Sequence, residues 1–182
     1  MEYLVISATS TNKPTAVVRE LASLAHKHQC NIENSRLMIM GNEVAIMMMI
    51  SGNWSTITKV EAGIPMLEKE LNMVSQVKRT KLQPSALELI PYAVQIIGIE
   101  QLGIIYEISN FFNNLDVVIL DLQNNTFSAN LTSTRMFSLS MRIGVPPSLN
   151  IADFREHFAV LCDELNLDGL MEPRKILAFS RR

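Results

Sequence analysis

Two strand-to-helix turns hold the residues whose types and spacing could bind a small charged ligand. The first turn is Asn12-Lys13-Pro14-Thr15, and the second is Glu100-Gln101-Leu102-Gly103, which leads into a helix at Ile104. The first turn of a helix has unpaired backbone N–H groups and the positive end of the helix dipole, and both attract a carboxylate. Gly103 would let such a ligand approach the backbone closely, whereas Thr15 stands at the corresponding place in the first turn.

A partner for a ligand ammonium group is predicted where the second strand of each half begins. Asn31, followed by Ile32, opens this strand in the first half, and Asp116 does so in the second half. An amide or carboxylate oxygen accepts a hydrogen bond from an ammonium group. A carboxylate at the helix and an ammonium group at the strand would together suit a free amino acid. The alternative is that all of these are ordinary turn residues.

No other constellation in the sequence predicts catalysis, a metal site or a cofactor. His26 and His28 are two residues apart near a helix end, and His157 lies on the outer side of a late helix. Cys30 and Cys162 are far apart and lack the spacing of metal ligands or of a disulfide framework. No glycine-rich phosphate loop is present in the sequence. We therefore expect a protein that is not an enzyme and that has no catalytic residues, no metal and no cofactor.

Composition and charge argue for a globular chain that does not bind nucleic acid directly. The 182 residues are 48% hydrophobic and 19% charged, with a net charge of −2. Such a charge gives no attraction to nucleic acid or to an anionic membrane surface. The basic run Lys78-Arg79-Thr80-Lys81 is interpreted as a solvated strand end. Without a leader or an apolar stretch of about 20 residues, we expect no membrane segment and a cytoplasmic location.

The elements that must position the turns come from an internal repeat. The segment Leu67-Glu68-Lys69-Glu70-Leu71-Asn72-Met73 returns as Leu161-Cys162-Asp163-Glu164-Leu165-Asn166-Leu167. In both places it closes an amphipathic helix and leads into a strand, which indicates one structural unit built twice. We predict domains at 1–81 and 92–182, joined by a linker at 82–91.

Hydrophobic periodicity places the elements within each half. The first half has predicted strands at 3–9, 31–40, 44–50 and 73–80, a helix at 14–28, and a helix from Asn53 that breaks near Gly63 and restarts at Pro65. The second half has strands from Tyr92, from 116 or 117, at 136–143 and at 170–179, helices from Ile104 and Asn150, and a polar loop at 124–135. The helices' predicted inward positions include Val17, Val18, Leu21, Leu24, Ala25, Ile104, Ile105, Ile108, Phe111, Phe112 and Leu115.

This order of elements predicts an α+β fold of two ferredoxin-like βαββαβ domains. Right-handed crossovers put both helices on one face of each four-stranded antiparallel sheet and leave the other face bare. The strand at 44–50 is apolar at its odd and its even positions, which point to opposite faces of the sheet, so both faces are predicted to be buried away from water. We expect the second half, another chain or a regulatory partner to cover it; the alternative is that its methionines only fill a large core.

These turns and strand openings resemble the ACT domain, a small ligand-binding module that regulates amino-acid metabolism. Glu100-Gln101-Leu102-Gly103-Ile104 matches its turn with a late glycine, and Cys30-Asn31-Ile32-Glu33 matches the opening of its second strand. The order and spacing of longer segments resemble the glycine cleavage system transcriptional repressor family, whose bacterial members carry two ACT domains. These segments are 30–37, 51–58, 78–80 and 161–166.

The resemblance implies an amino-acid-responsive transcriptional repressor of the glycine cleavage system. It would bind a small amino acid, glycine above all. It would act by contact with a LysR-type transcription activator and not by contact with DNA. A homodimer is also expected. By position, the ligand residues would be Asn12, Lys13, Pro14, Thr15, Asn31 and Ile32 in the first half, and Glu100, Gln101, Leu102, Gly103, Ile104 and Asp116 in the second. The side chain of Thr15 would crowd a carboxylate, which favours the second half. The alternative is a regulatory subunit of an amino-acid biosynthetic enzyme.

Overall fold

A computed structural model describes residues 1–82, 89–129 and 132–174 of the chain. The chain divides into two compact units, Met1–Pro84 and Ser85–Arg182, and each has its own hydrophobic core. Both units follow the order strand–helix–strand–strand–helix–strand, and all paired strands are antiparallel. The predicted pair of ferredoxin-like domains is confirmed.

The first unit forms a sheet in the order β2-β3-β1-β4. Its elements are β1 (Glu2–Ser10), α1 (Pro14–Lys27), β2 (Asn31–Met40), β3 (Glu43–Gly52), α2 (Trp54–Glu70) and β4 (Met73–Thr80). The buried residues of β1 alternate along the strand, at Leu4, Ile6, Ala8 and Ser10. This period of two puts one face of the sheet against both helices.

The second unit repeats this topology in the order β6-β7-β5-β8. Its elements are β5 (Ile90–Ile99), α3 (Ile104–Asn114), β6 (Val118–Ser128), β7 (Arg135–Val145), α4 (Ile151–Glu164) and β8 (Leu167–Pro173). Phe111 stacks on Phe154 at a centroid distance of 5.9 Å, which joins α3 to α4 over the core. Within the described residues, no helix is long and apolar enough to cross a membrane.

Local capping residues begin the second helix of each unit. The side chain of Asn53 accepts a hydrogen bond from the N–H of Thr56 at 2.9 Å, and that of Asn150 accepts one from the N–H of Ala152 at 3.0 Å. Each bond satisfies a helix N–H that has no partner within the helix. The sequence had placed the starts of both helices at these two residues.

The repeated Leu-Asn pair is the device that ends these helices. Leu71 and Leu165 are the C-caps of α2 and α4. Asn72 and Asn166 follow in the left-handed conformation, with φ of 46° and 52°. Asparagine tolerates this conformation better than most residues, so the chain can reverse there into β4 or β8.

The predicted break in α2 is wrong, because the helix is continuous from Trp54 to Glu70 through Gly63 and Pro65. A Cβ on Gly63 would lie 2.6 Å from Cδ1 of Leu24, so the glycine admits close packing of α1 against α2. Ile64, beside Pro65, is buried in the core. We infer that this packing outweighs the hydrogen bond that proline removes, a cost of about 3 kcal/mol in an isolated helix.

Two residues predicted to face inward are instead exposed. Val18 is 39% exposed and Ile105 is 37% exposed, while their neighbours Val17 and Ile104 are buried. Each step along a helix turns the side chain by about 100°. Val17 and Ile104 therefore point into the core, and the residues that follow them point toward solvent.

Several strand limits in the second unit differ from the sequence predictions. Residues 124–128, predicted as loop, belong to β6, because their backbone pairs with β7 while their polar side chains stay exposed. Strand β8 begins at Leu167, earlier than the predicted 170, and the predicted stretch 175–179 lies outside the described residues. Strand β5 begins at Ile90, inside the expected linker, whose residues 83–88 are not described. The domain limits stay predictions.

The bare face of the first sheet is only partly dry in the single chain. Val44, Ile46, Met48 and Ile50 of β3 point to the helices and are buried, whereas Met47 on the other face is 57% exposed. Both helices lie on the face opposite Met47, so dryness of the face that carries Met47 would require the predicted cover. Cover by a partner stays a prediction.

Candidate ligand site at the strand-to-helix turns

The turn before α3 presents a row of unsatisfied backbone donors. Gly103 is the N-cap with a φ of 92°, and its carbonyl accepts the first helical hydrogen bond, from the N–H of Glu107 at 3.0 Å. Within the described part of the chain, the N–H groups of Ile104, Ile105 and Tyr106 donate to no acceptor. Three such groups at the positive end of a helix can hold a carboxylate.

Glycine is required at position 103 by backbone conformation and not by crowding. A φ of 92° lies in the left-handed region that other L-residues rarely adopt. A Cβ built on Gly103 would meet no atom within 4 Å. The space beside this residue is therefore open to a ligand.

The turn before α1 has already used most of its donors. The N–H of Asn12 donates to Oγ of Ser10 at 3.0 Å, and the N–H of Lys13 donates to Oδ1 of Asn12 at 2.7 Å. Both hydrogen bonds stay within the turn. The side chain of Asn12, which was predicted to contact a ligand, instead accepts a hydrogen bond from the backbone of its own turn.

The first residues of α1 leave a single N–H. Pro14 has no N–H, and that of Ala16 donates to the carbonyl of Lys13 at 2.9 Å. Thr15 is the second residue of the helix, and its N–H has no acceptor in the described residues. The first unit therefore offers one donor where the second offers three.

Glu100 brings a carboxylate with an unsatisfied oxygen to the second turn. Its backbone N–H donates to the carbonyl of Arg135 at 2.9 Å. Its Oε2 is buried and has no hydrogen-bond partner among the described residues. A buried oxygen without a donor is costly, so a ligand cation could satisfy it.

Gln101 and Leu102 play different parts from those expected of ligand contacts. Nε2 of Gln101 donates to the carbonyl of Leu165 at 2.6 Å, so this donor is already engaged. Leu102 is fully exposed.

At the start of β2, Asn31 binds its own strand. Nδ2 of Asn31 donates to Oε1 of Glu33 at 3.0 Å, and Oγ of Ser51 donates to the same oxygen at 2.5 Å. Ile32 is 37% exposed beside it. The amide oxygen of Asn31 is the group that a ligand ammonium could use.

Asp116 does not correspond to Asn31 in the structure. Asn31 pairs with Ser51, and the residue in the matching register of the second unit is Val118, which pairs with Gly144. Asp116 precedes β6 in the left-handed conformation, with a φ of 54°. The second unit therefore has an apolar residue where the first has an amide.

A groove beside α3 continues from the donor row. It has a volume of about 440 Å³ and runs between the exposed face of α3 and the start of β6. Its lining residues are Tyr106, Ser109, Asn110, Asn113, Val117 and Ile119. Tyr106 belongs both to this groove and to the donor row. The polar residues recur with helical spacing, a signal that was present in the sequence and was not used.

A larger hollow of about 580 Å³ lies on the bare face of the second sheet. Gln95, Gln123 and Ser140 share one row across its strands. It includes none of the residues from Glu100 to Tyr106. It is therefore separate from the donor row.

Comparison with known proteins supports the ACT assignment. The ACT domain family matches residues 2–78. The glycine cleavage system transcriptional repressor of Escherichia coli (strain K12) is 29% identical over 167 residues, which cover 92% of this chain and 87% of the repressor. The protein of the same name from Shigella flexneri matches equally.

Solved structures agree with this similarity. A crystal structure of a protein provisionally named a glycine cleavage system transcriptional repressor has a TM-score of 0.70 and 27% identity, with 94% of this chain and 96% of that chain covered. A protein of unknown function from Galdieria sulphuraria has a TM-score of 0.76 at 16% identity, covering 95% and 98% of the two chains. The latter likeness shows the fold alone.

Proposed function

We propose that this tandem ACT-domain protein, which resembles glycine cleavage system transcriptional repressors along nearly its whole length, is an amino-acid-responsive regulator. The ligand would bind in the second unit, at the turn from Glu100 to Ile104. The observation that carries this choice is the row of three unsatisfied N–H groups, at Ile104, Ile105 and Tyr106, against one at Thr15.

The chemistry of the second turn suits a zwitterion. A carboxylate would accept hydrogen bonds from the α3 donors, and the buried oxygen of Glu100 would accept one from an ammonium group. Asp116 precedes β6 and does not occupy the position of Asn31, so we assign it no contact with the ligand. Glycine is the ligand that we propose, because the similar repressors are named for the glycine cleavage system.

Regulation through a protein partner fits the chain better than direct contact with DNA. The net charge is −2, which provides no general attraction to phosphates. We propose a LysR-type activator as the partner, a location in the cytoplasm and a role without catalysis. Copurification with a biosynthetic enzyme in place of a transcription activator would instead favour a regulatory subunit.

A homodimer is proposed through the edge strand β2. At the opposite edge, β4, Oε1 of Glu68 accepts a hydrogen bond from the N–H of Ser75 at 3.1 Å, so one backbone donor of that strand is already engaged. Strand β2 is exposed at all ten residues, with Ile39 65% and Met40 63% exposed. The last four residues of β2, 37–40, are apolar and exposed, and an edge strand that faces solvent is a template for pairing with another chain.

Calorimetric titration of the purified chain with glycine tests the ligand. We expect saturable heat with the parent chain and no such heat with the Glu100→Gln variant. Alanine and serine serve as competing amino acids in the same titration. Absence of heat with every one of the standard amino acids would remove the ligand from the proposal and leave the partner interaction to be tested by pull-down.

A further inference from the structure

We propose that Gln101 is a positioning residue, which fastens the turn of the second unit to the C-terminal end of α4 and so aims the donor row of α3. The bond is made by Nε2 of Gln101 to the carbonyl of Leu165 at 2.6 Å, across 64 residues of sequence. Its effect on a ligand rests on the function proposed above; the tie itself does not.

The first unit makes the same tie with a different residue. Oγ of Ser10 donates to the carbonyl of Leu71 at 2.6 Å. Leu71 and Leu165 are the C-caps of α2 and α4, and each is followed by a left-handed asparagine. The carbonyl that is bound is therefore the equivalent one in both units.

Strand register explains why the donor changed. Ser10 pairs with Met73, and the residue in the matching position of β5 is Gly98, which pairs with Leu167. A Cβ on Gly98 would lie 2.4 Å from Cδ2 of Leu167 and 3.2 Å from the carbonyl oxygen of Asn166. A serine at this position would require Leu167 and the backbone of Asn166 to shift, and Gln101 supplies the bond from three residues further along.

Moving the donor changes what the bond controls. Ser10 is 1% exposed and is the last residue of β1, and its Oγ also accepts from the N–H of Asn12, so it fastens a strand end and a turn whose own donors are already used. Gln101 is exposed and belongs to the turn, three residues before Ile104, the first member of the donor row. A bond that holds the turn also holds the direction of its N–H groups, and preorganised donors bind more tightly.

The tie also couples the turn to the junction of α4 and β8. If the bond to Leu165 favours the binding geometry, then ligand binding must favour the bond by the same factor. The N–H groups of Leu165 and Asn166 donate within the end of α4, at 3.1 Å each. Their hydrogen exchange therefore reports the state of the tie.

The test uses the full chain, glycine as the probe and three substitutions at one position. Gln101→Ala and Gln101→Glu remove the donor, and Gln101→Lys restores one. We expect Ala and Glu to speed exchange at residues 165–167 and to weaken glycine binding roughly 3- to 10-fold, the range for one lost hydrogen bond. The Lys variant should recover most of both effects, with the thermal midpoint of all three close to that of the parent chain.

Ser10→Ala is the matched control in the first unit. It should speed exchange at residues 71–73 and leave glycine affinity unchanged. If the parent chain binds no amino acid, the proposed ligand is lost, but exchange at 165–167 still decides whether the tie exists. Unchanged exchange in Gln101→Ala overturns the tie, and faster exchange with unaltered glycine affinity overturns its positioning role.

Discussion

Arg79 holds Glu61 through two parallel hydrogen bonds, from Nε to Oε1 at 2.9 Å and from Nη2 to Oε2 at 2.7 Å. The pair joins β4 to α2, and the guanidinium also lies 5.8 Å from the ring centroid of Trp54. Two-pronged contacts between arginine and a carboxylate are stronger than single ion pairs. This contact therefore fastens β4 to α2.

Replacing Glu61 should make the first unit less stable, and the effect should depend on pH. The hydrogen bond from Arg79 holds the pKa of Glu61 below its usual value. Burial acts in the opposite direction, and the positive charge of Arg79 lowers this pKa further. A lowered pKa in the folded state stabilises the protein above the unfolded pKa, and this is lost as pH falls through the folded pKa. Urea unfolding followed by Trp54 fluorescence should show a lower midpoint for Glu61→Gln at pH 7 and a smaller difference at pH 3.

Glu70→Gln is the control for that measurement. Glu70 ends the same helix, and no ion pair from it is seen in the described residues. Its substitution should leave the midpoint nearly unchanged. An equal loss in both variants would mean that helix charge, and not the pair with Arg79, accounts for the effect.

Substitution of Gly103 should weaken ligand binding, and it should also lower the stability of the second unit. A side chain at a φ of 92° costs about 1–2 kcal/mol, and the strained turn would misdirect the donors of α3. We expect Gly103→Val to weaken glycine binding by at least about 10-fold, since one lost factor of ten is about 1.4 kcal/mol. Isothermal calorimetry gives the affinity and thermal unfolding gives the stability.

Gly41 provides the matched control for Gly103. It also has a left-handed φ, of 62°, and a Cβ there would meet no atom within 4 Å. It lies in the β2–β3 hairpin of the first unit. Gly41→Val should cost similar stability and keep full glycine affinity; loss of binding in both variants would show that strain alone is responsible.

A lysine on the β2 edge should separate the proposed dimer. Ile39→Lys puts a charge on the exposed strand, which opposes pairing with a second copy. Light scattering after size exclusion should show a dimer dissociation constant raised by about 10-fold or more. Val74→Lys, on β4 at a side chain that is 76% exposed, is the control and should stay dimeric. A parent chain that is monomeric at high concentration would exclude this dimer.

The thiol of Cys162 should be inert in the folded protein. Burial raises its pKa to about 11, with the charges of Asp163 and Asp168 adding to the effect. A raised pKa keeps the thiol protonated at pH 8, and the thiolate is the reactive form. In a Cys30→Ser background, Ellman's reagent should react slowly with the native chain and rapidly in urea; fast reaction in both would contradict the burial of this side chain.

Patterns that span a few residues could be predicted from the sequence because their causes are local. The Leu-Asn repeat, the caps at Asn53 and Asn150, and the alternation in β1 each depend on neighbours within one turn or one pleat. These were enough to obtain the duplicated fold and to locate both turns. Gly103 was singled out from the sequence because it would let a ligand approach the backbone, whereas its φ of 92° is what requires glycine there.

Only the tertiary structure decided how the two turns differ. The donors of Asn12 and Lys13 are consumed inside their own turn, whereas those of Ile104 to Tyr106 are not, and residue types alone do not distinguish the two cases. The bond from Gln101 to Leu165 and the mismatch between Asn31 and Asp116 depend on strand register. Register is set by packing between segments far apart in sequence, so a shift of one residue changes every partner.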